Sequence, residues 1–381
     1  MKIIIFGGDG FCGWPTSLRL AASGHEVLIV DNLSRRSIDD EIKSNSLTNI
    51  FSIEERIKVA KKKIGNISFI NHDISSYESL KNIFLDYKPS AVVHFAEQRA
   101  APYSMISGEH RCYTINNNIT NTHNICSAIV ETNKDIRLIH LGTMGVYGYN
   151  KDYGVIPEGY LNIKINSTKK DVDILYPPNP GSIYHLTKTM DQLIFQYYNK
   201  NWLINITDLH QGIVWGAETE ETKLDPVLVN RFDYDGIYGT VLNRMVVQAA
   251  NNHPLTVYGE GGQKRAFIHI SDTAKCIKLA IESNNYKEDK VRIFNQVSEV
   301  KSVLELANII KKLYGSEIKF YENPRNELSR NDLEVKNDGL VNLGFDPIFL
   351  NKSLIEDIKY IAEKTADNFN IENVLNSPKW K

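Results

Sequence analysis

Residues 2–13 read KIIIFGGDGFCG, and this stretch decides the fold of the 381-residue chain. Lys2–Phe6 is a short apolar run that ends at a glycine, which is the form of a buried parallel strand. The glycine-rich segment after it forms a turn, and Trp14–Ser23 then has the apolar spacing of a helix. A second apolar run, Glu26–Val30, follows the helix. Strand, glycine turn, helix and strand together predict one βαβ unit.

The alternation of strands and helices continues along the next part of the chain. Further strands are predicted at Ile67–Asn71, Ala91–Phe95, Arg137–Leu141 and Asn205–Leu209, and helices at Ser76–Tyr87, Asn117–Thr132 and Tyr184–Tyr198. Such alternation is typical of strands that lie parallel with helices on both faces. The sequence therefore predicts an α/β fold, a doubly wound parallel Rossmann sheet with a smaller, mostly C-terminal substrate-binding lobe.

The alternation of strands and helices is interrupted at two places, which suggests that the chain is divided into two parts. Residues 1–210 are predicted as the dinucleotide-binding domain, and residues 211–381 mainly as the substrate lobe. Residues 268–283 are a candidate to pack back on the first domain. Residues 150–181 are rich in Tyr, Pro, Asn and Lys and poorly periodic, so we expect an active-site loop insertion there.

Composition excludes several classes of protein. Lys and Arg number 44 against 46 Asp and Glu, so the net charge of −2 argues against nucleic acid as a partner. No apolar run approaches the length of a membrane span. Four cysteines lie far apart without a CxxC pair, which favours reduced thiols over disulfides or a metal site. The absence of a signal-peptide pattern predicts a cytoplasmic protein, or one from which a transit segment has been removed.

The glycine turn fits two registers of a dinucleotide-binding motif. One is Gly8, Gly10 and Gly13; the other is Gly7, Gly10 and Gly13, which we favour because its first glycine directly follows the strand. Residues without side chains let the backbone approach a pyrophosphate at the helix N-terminus. Asp31 follows the second strand and is predicted to bind the adenosine ribose 2′-OH, which favours NAD over NADP.

Other cofactor contacts are predicted around the same sheet edge. They are Phe11, Cys12, Asn32, Arg35, Arg36, Asp73, Ile74 and Phe95. Arg35 and Arg36 leave open the alternative that a 2′-phosphate is bound instead. Asp73 ends the third strand, where it either faces the adenine or caps a turn.

Tyr184 and Lys188 form a Tyr-x-x-x-Lys motif on a predicted helix. Four residues apart, they share one helix face, and a nearby cation lowers the pKa of a tyrosine. Thr143 follows the predicted strand Arg137–Leu141 at the sheet edge where α/β ligands bind. The three residues are candidates to converge on a nicotinamide, although this spacing also occurs in simple packing pairs.

Together these motifs resemble the extended short-chain dehydrogenase/reductase family of nucleotide-sugar enzymes, over essentially the whole chain. The resemblance implies that Thr143 orients a sugar hydroxyl, that Tyr184 takes its proton, and that Lys188 binds the nicotinamide ribose. A hydride then passes from sugar C4 to NAD. In 4,6-dehydratases of the family an acidic pair follows the threonine, whereas this chain has Met144 and Gly145.

Longer strings are similar to the branch of this family that makes UDP-sulfoquinovose. They are GGDGFCGW at 7–14, HFAEQRAAPYSM at 94–105, LGTMGVYG at 141–148 and TDLHQGIVWG at 207–216, with further matches at 230–243 and 254–265. That branch implies UDP-glucose and sulfite as substrates, and NAD as the cofactor. After C4 oxidation, water is lost across C5 and C6, sulfite adds to C6, and C4 is reduced again.

The resemblance gives roles to further residues. Glu97 is expected as the principal acid/base of the elimination and His185 as its assistant. The alternatives are an ion pair of Glu97 with Arg99 and a structural hydrogen bond of His185. Substrate contacts are expected from Arg99, Met144, Gln211, Asn243, Arg244, Thr256, Gln263, Arg265 and Arg325. Arg99 is the candidate for sulfite and Arg231 a weaker one.

Other functions remain open on the sequence alone. A UDP-glucose 4-epimerase or a UDP-sugar dehydratase would share the fold, and a non-catalytic NAD sensor would share the glycine motif. A homodimer through Asn117–Thr132 and Tyr184–Tyr198 is expected by analogy with the family. The sequence leaves undecided whether sulfite is free or delivered by a carrier protein, and whether the product enters a lipid or a glycan.

Overall fold

The computed structural model describes residues 1–148, 154–165, 171–283, 290–325 and 327–375. Its strands are β1 (Lys2–Phe6), β2 (Glu26–Asp31), β3 (Ile67–Asn71), β4 (Ala91–His94), β5 (Arg137–Thr143), β6 (Tyr160–Lys164), β7 (Asp171–Leu175), β8 (Asn205–Gln211), β9 (Ile213–Trp215), β10 (Leu255–Tyr258), β11 (Lys264–His269), β12 (Arg292–Gln296), β13 (Glu299–Ser302) and β14 (Ile318–Tyr321).

The helices alternate with these strands in the first half of the chain and dominate the second. They are α1 (Gly13–Ala22), α2 (Ser34–Ile42), α3 (Ile53–Lys63), α4 (Tyr77–Tyr87), α5 (Gly108–Thr132), α6 (Ile183–Trp202), α7 (Val241–Ala250), α8 (Ile270–Glu282), α9 (Val303–Tyr314), α10 (Asp338–Asn342), α11 (Lys352–Lys364) and α12 (Ile371–Leu375). The sequence did not predict α2 and α3, whose apolar faces are narrow.

The central sheet has seven parallel strands in the order β12-β8-β5-β4-β1-β2-β3. Side chains alternate between its two faces, so Ile3 packs in one core cluster and Ile4 in the other. Helices α1, α3 and α8 cover the first face, and α4, α5 and α6 cover the second. The predicted doubly wound parallel Rossmann sheet is therefore confirmed, and the strand order reverses between β1 and β4.

The second lobe is built on a separate core. Helices α7, α9 and α11 pack together with β10 and β11 around Val246, Leu306 and Ile358. Two elements from beyond residue 210 belong to the first domain instead. Strand β12 completes the central sheet beside β8, and α8 packs against α1. The boundary at residue 210 stays a prediction. The chain returns to the first domain with α8 and β12 and then goes back to the second lobe.

The segment 150–181 holds more regular structure than its composition suggested. Residues 150–153 and 166–170 lie outside the described residues, but β6 and β7 between them form an antiparallel pair. Ile156 makes a bridge with Val335, which ties the segment to the C-terminal part of the chain. None of its described residues lines the cleft discussed below, so its role as an active-site loop stays a prediction.

Two expectations from composition concern the whole chain. Across the described ranges, no helix is long and apolar enough to cross a bilayer. The four cysteines are free, with Cys12, Cys126 and Cys276 buried and Cys112 exposed. The compartment in which the protein works stays a prediction.

Candidate active site

A deep cleft opens at the carboxyl ends of β1, β4 and β5, where the strand order reverses. Ligands of open α/β sheets bind at such a switch point. The glycine turn after β1 forms one wall, and the start of α6 with the second lobe forms the other. The cleft therefore takes residues from both parts of the chain.

The glycine turn between β1 and α1 is too close-packed to carry side chains. Gly7 has a φ of 80°, and a Cβ on it would lie 2.6 Å from the carbonyl carbon of Phe95. A Cβ on Gly13 would overlap the carbonyl oxygen of Gly7, and one on Gly8 would lie 2.6 Å from Ile29 Cγ2. Gly7, Gly8 and Gly13 are therefore needed, whereas a Cβ on Gly10 would lie 3.3 Å from the carbonyl oxygen of Gly7. The bare turn and the N-terminus of α1 form a cradle that fits a dinucleotide pyrophosphate.

Asp31 lies at the end of β2 beside this cradle. Its Oδ2 accepts a hydrogen bond from the backbone N–H of Asp9 at 3.0 Å, and its Oδ1 accepts one from Leu33 at 2.7 Å. Burial raises the pKa of Asp31 to about 6. Each carboxylate oxygen keeps a lone pair for a further donor, so Asp31 fits the ribose hydroxyls of an adenosine.

The two arginines after Asp31 are already bound to carboxylates. Arg36 pairs with Asp9 through Nε at 2.7 Å and Nη2 at 2.9 Å, and it does not line the cleft. Arg35 lines the cleft, but its Nη2 lies 3.0 Å from Asp233 Oδ1. We therefore reassign Arg36 to the support of the glycine turn. Because carboxylates already neutralise both guanidinium groups, these arginines are poorly suited to bind a 2′-phosphate. Both pairings therefore favour NAD over a 2′-phosphorylated dinucleotide.

The remaining predicted cofactor contacts lie along the same wall. Residues Gly10, Phe11, Cys12, Asn32, Asp73, Ile74 and Phe95 all line the cleft. Asn32 Nδ2 donates to Asp73 Oδ2 at 3.0 Å, and the backbone N–H of Ser75 donates to Asp73 Oδ1 at 2.9 Å. Asp73 thus caps the turn after β3 and also faces the cleft. Its position fits both predicted roles, the turn cap and the contact with an adenine.

The three residues predicted for the redox chemistry meet in the cleft. Thr143 ends β5, while Tyr184 and Lys188 lie on the first turns of α6. Thr143 Oγ1 accepts a hydrogen bond from the backbone N–H of Gly145 at 3.1 Å. The backbone N–H of Tyr184 donates to Ser104 Oγ at 3.1 Å, which anchors the start of α6. Burial raises the pKa of Tyr184 to about 12, and the charge of Lys188 opposes this rise.

The ammonium group of Lys188 is buried beneath the cleft. Nζ donates to the carbonyl oxygen of Leu141 at 2.6 Å, and it lies 2.8 Å from Glu97 Oε2 and 3.0 Å from His140 Nε2. Burial alone would lower the pKa of Lys188, but Glu97 outweighs burial and raises it. Lys188 therefore stays a cation although water is excluded from it.

Glu97, the predicted principal acid/base, lines the cleft, but its carboxylate is held by buried partners. Its side chain is 2% exposed, and its Oε1 lies 2.9 Å from His140 Nε2 and 3.3 Å from His94 Nε2. Burial alone would raise its pKa, but Lys188 and His140 lower it. The alternative pairing with Arg99 does not form. The contacts describe a counter-ion of Lys188, and the proton-transfer role of Glu97 stays a prediction.

Sequence reasoning missed a row of buried polar residues beneath Lys188. His94 on β4, His140 on β5 and Asp208 on β8 pair with one another in register across adjacent strands. Asp208 Oδ1 lies 2.8 Å from His140 Nδ1, and its Oδ2 lies 2.9 Å from His210 Nε2. Polar residues inside strands that are otherwise apolar were the available signal, since buried parallel strands are usually continuous apolar runs.

A further buried acid, Asp191, lies one turn after Lys188 on α6. Glu97, His140 and Asp191 bring possible metal-ligand atoms within 4.8 Å of one another. The Lys188 ammonium already lies among these groups, however, and a metal cation there would be repelled. Burial and the nearby Glu97 raise the pKa of Asp191. The cluster is therefore described as an ion-pair network and not as a metal centre.

His185 faces the opposite side of the cleft, toward the second lobe. A Cβ on Gly145 would overlap its imidazole ring, so the ring occupies the space that a side chain would take. Among the described residues, its Nδ1 has no hydrogen-bond partner. Burial, with Arg325 and Arg265 nearby, lowers the pKa of His185 to about 3. The cleft therefore contains a neutral imidazole.

Most predicted substrate contacts line the cleft on the side of the lobe. They are Arg99, Met144, Gln211, Arg244, Gln263, Arg265 and Arg325. Arg265 forms an ion pair with Glu327, another residue of the cleft wall. Arg244 lies over the ring of Tyr258 at 5.3 Å, and no carboxylate of the described residues forms an ion pair with it. These side chains place fixed guanidinium donors where an anionic ligand would lie.

Two predicted substrate contacts do not line the cleft. The amide of Asn243 accepts from the backbone N–H of Gly216 at 3.0 Å and donates to its carbonyl at 3.1 Å. Thr256 Oγ1 accepts a hydrogen bond from Gln248 Nε2 at 2.6 Å. Both side chains are buried and bind these partners within the lobe. We therefore reassign Asn243 and Thr256 to the packing of the lobe.

The two candidates for sulfite have different surroundings. Arg99 lines the cleft, with Nη2 2.5 Å from Asp233 Oδ2 and Cζ 5.5 Å from the centroid of the Phe11 ring. Arg231 is buried between Asp39 and Asp233 and does not line the cleft. Arg99 therefore remains the candidate, whereas Arg231 supports the carboxylate that Arg99 binds.

Comparison with known proteins places the chain in a family. Residues 3–295 match the family described as NAD dependent epimerase/dehydratase. UDP-sulfoquinovose synthase from spinach chloroplasts is 41% identical, over all of this chain and 79% of that protein. UDP-sulfoquinovose synthase from Sulfolobus acidocaldarius is also 41% identical, over 95% of this chain and 92% of that protein.

Solved structures with lower identity share the fold. UDP-glucose 4-epimerase from Thermotoga maritima, solved with UDP-glucose, has a TM-score of 0.71 and 20% identity. UDP-glucuronic acid 4-epimerase from Bacillus cereus, solved with UDP-glucuronic acid and NAD, has a TM-score of 0.69 and 20% identity. Each alignment covers 96% of this chain and 99% of the other. The likeness extends over both the sheet and the second lobe.

The pKa of Asp31 leads to a prediction about cofactor affinity. Ribose hydroxyls donate to a carboxylate better than to a carboxyl, so NAD should bind more weakly as the pH falls through about 6. Between pH 7.5 and pH 5 we expect an affinity loss of about tenfold in isothermal titration calorimetry. Asp31→Asn should bind weakly with no such pH dependence, and Asp73→Asn should keep the wild-type profile. A flat wild-type profile would contradict the role of Asp31.

Proposed function

Because this chain belongs to the NAD dependent epimerase/dehydratase family, and within it to the UDP-sulfoquinovose synthases, we propose that its cleft converts UDP-glucose and sulfite into UDP-sulfoquinovose. One observation carries the proposal. In a chain that matches those synthases from end to end, Thr143, Tyr184 and Lys188 meet beside a cradle for NAD. Homology supports the reaction, and the geometry supports the roles given to the residues.

NAD would be held by the glycine turn, the N-terminus of α1 and Asp31. When bound, it supplies an acceptor for the C4 hydride of the sugar and a donor that returns the hydride later. Thr143 would hold the C4 hydroxyl and Tyr184 would take its proton. Lys188 would keep the phenol acidic enough for this step, because its charge opposes the effect of burial on Tyr184.

The elimination needs a base for the C5 proton and an acid for the leaving C6 hydroxyl. With C4 oxidised, the C5 proton is acidic; its removal and the loss of the hydroxyl as water leave a 4-keto-5-ene. Glu97 was expected as the principal acid/base and His185 as its assistant. Both residues line the cleft, but Lys188 and His140 hold the Glu97 carboxylate, which favours His185 as the principal proton carrier.

Sulfite addition completes the sequence. The sulfur of sulfite bonds to C6, C5 regains a proton, and the hydride returns to C4, so that the net change is UDP-glucose, sulfite and one proton to UDP-sulfoquinovose and water. Arg99 would offset the charge of sulfite beside the sugar. Gln263, Arg265 and Arg325 would bind the UDP group, and the Arg244 guanidinium supports them.

An assay with three substrates tests the proposed reaction. Protein incubated with UDP-glucose, NAD and sulfite should form a product whose mass is that of UDP-glucose plus sulfite minus water. Without sulfite this product should be absent. Tyr184→Phe should reduce turnover by about 100-fold or more, because a general base is lost. A sulfite-independent epimer or 4-keto-6-deoxy sugar would instead favour the epimerase or dehydratase reading.

Gly145 provides a test of the role of His185. Gly145→Ala places a methyl group where the imidazole lies, so the ring must move. We expect formation of the sulfonated product to fall by about tenfold or more, while oxidation at C4 is less affected. The matched control is Gly181→Ala, because a Cβ there would lie 3.9 Å from His185 Nδ1, which is an ordinary contact. Equal activities of the two variants would argue against His185 as the proton carrier.

The same chain is proposed to form a homodimer through α5 and α6. Leu186, Leu193 and Tyr197 lie on one face of α6 at spacings of seven and four residues, and all three are exposed. Leu193 and Tyr197 are 59% and 58% exposed. A second copy of this chain related by a two-fold axis would cover this face with the same face of its own α6.

The proposed dimer can be tested by sedimentation equilibrium. The wild-type protein should sediment with twice the mass of the chain, and Leu193→Glu should shift it toward the monomer because a buried charge opposes association. Leu224→Glu is the matched control, since Leu224 is 52% exposed in the second lobe. A wild-type monomer, or equal effects of the two substitutions, would contradict this interface.

A further inference from the structure

The polar row beneath Lys188 forms one continuous set of contacts. Starting at Lys188 Nζ, Glu97 Oε2 lies at 2.8 Å, and Glu97 Oε1 lies 2.9 Å from His140 Nε2. The other ring nitrogen of His140 lies 2.8 Å from Asp208, and Asp208 lies 2.9 Å from His210. Both ring nitrogens of His140 thus face carboxylates, as in an imidazolium that donates twice, and Nε2 also lies 3.0 Å from Lys188 Nζ, which binds the other oxygen of Glu97.

The charges in this row balance when His140 is protonated. Lys188 and His140 are then positive, and Glu97 and Asp208 are negative. Burial alone would lower the pKa of His140, but Asp208 and Glu97 outweigh burial and Lys188 and raise it to about 9. A buried cluster of this kind is stable only when each charge has its partner.

Four titratable groups around the row, His94, Asp191, Cys126 and Tyr147, carry no further charge on this assignment. Burial lowers the pKa of His94 to about 3, so His94 is neutral. Burial raises the pKa of Asp191 on α6 and the pKa of Cys126 on α5, so both are protonated. Tyr147, which lies 2.5 Å from His210 Nδ1, also has its pKa raised by burial and is neutral.

We propose that Glu97, His140 and Asp208 are positioning residues for Lys188. His140, held between the two carboxylates, fixes Glu97, and Glu97 fixes the ammonium group beneath the cleft. The three strands β4, β5 and β8 set the spacing, because His94, His140 and Asp208 are register partners. This inference rests on the proposed function, in which Lys188 serves Tyr184, and it gives Glu97 a task other than proton transfer to the sugar.

The first test follows the protonation of His140 in the protein without added cofactor or substrate. Histidines labelled with ¹³C at Cε1 are titrated by NMR, and His140→Gln identifies the resonance among the ten histidines. In the wild type, we expect His140 to remain an imidazolium at pH 7.5. In Asp208→Asn its titration midpoint should fall by at least one pH unit, because one of its two carboxylate partners has lost its charge.

Two further variants control this measurement. Glu97→Gln should also lower the midpoint of His140, and it carries the test if Asp208→Asn does not fold. Asp272→Asn is the matched control, because Asp272 is equally buried but binds Ser298 and the backbone of Ile348, away from the row. A neutral His140 at pH 7.5 in the wild type, or a midpoint unchanged in Glu97→Gln, would overturn the proposal.

The second test reads the effect on chemistry in a single turnover with UDP-glucose and NAD but no sulfite. In Glu97→Gln the pH midpoint of C4 oxidation should move down by about one unit, because the Glu97 charge raises the pKa of Tyr184. The KM for UDP-glucose should change less than about twofold. Unchanged C4 oxidation in this assay, together with loss of the sulfonated product when sulfite is added in the three-substrate assay, would make Glu97 a proton carrier and overturn the proposal. If the wild type does not oxidise UDP-glucose, the proposed function fails, and the NMR titration still decides the inference.

Discussion

This active site depends on one constraint: the ammonium group of Lys188 must keep its charge although it is excluded from water. Lys188 meets it with the carbonyl of Leu141 at 2.6 Å and the carboxylate of Glu97 at 2.8 Å. Burying a single cation without such partners would cost several kcal/mol or neutralise it. The distances between three segments must therefore be closely fixed. They are the chain just after β4, the middle of β5 and the second turn of α6. Close packing of the parallel sheet provides that precision.

The parts of the site that depend on local sequence were predictable. The glycine turn was visible because Gly7 and Gly13 are separated by a fixed number of residues, and the close approach of Gly13 to Gly7 occurs within one βαβ unit. Tyr184 and Lys188 were visible for the same reason, since a helix brings residues four apart onto one face. Thr143 followed from its position after a predicted strand. In each case the chain over a few residues determines the contact.

Contacts between distant segments were not predictable in this way. His140 and Asp208 are 68 residues apart, and their pairing depends on the register of β5 with β8, which no spacing in the chain encodes. The same holds for Arg99, whose partner Asp233 comes 134 residues later. Each strand looked like an ordinary buried strand interrupted by polar residues. Only the strand order brought His94, His140 and Asp208 into one row.

The boundary at residue 210 illustrates a related limit. Strand β12, at Arg292–Gln296, completes the central sheet although the chain has by then left the first domain and built part of the second lobe. A short buried strand contains no local sign of the sheet that it joins. The return of the chain has a consequence for the site, because Asn295 pairs with His210 in register and its Oδ1 accepts from Tyr147. Strand β12 therefore covers the end of the polar row that lies farthest from Lys188.

Gly145 fits the proposal that His185 on α6 carries the protons of the elimination. The acidic pair that the sequence resemblance leads one to expect after Thr143 is replaced in this chain by Met144 and Gly145. Because position 145 has no side chain, the ring of His185 can fill the space beside Thr143. A glutamate there would collide with the ring, so the two arrangements exclude each other. A neutral imidazole also adds no negative charge, which matters in a cleft that must hold both a sugar diphosphate and sulfite.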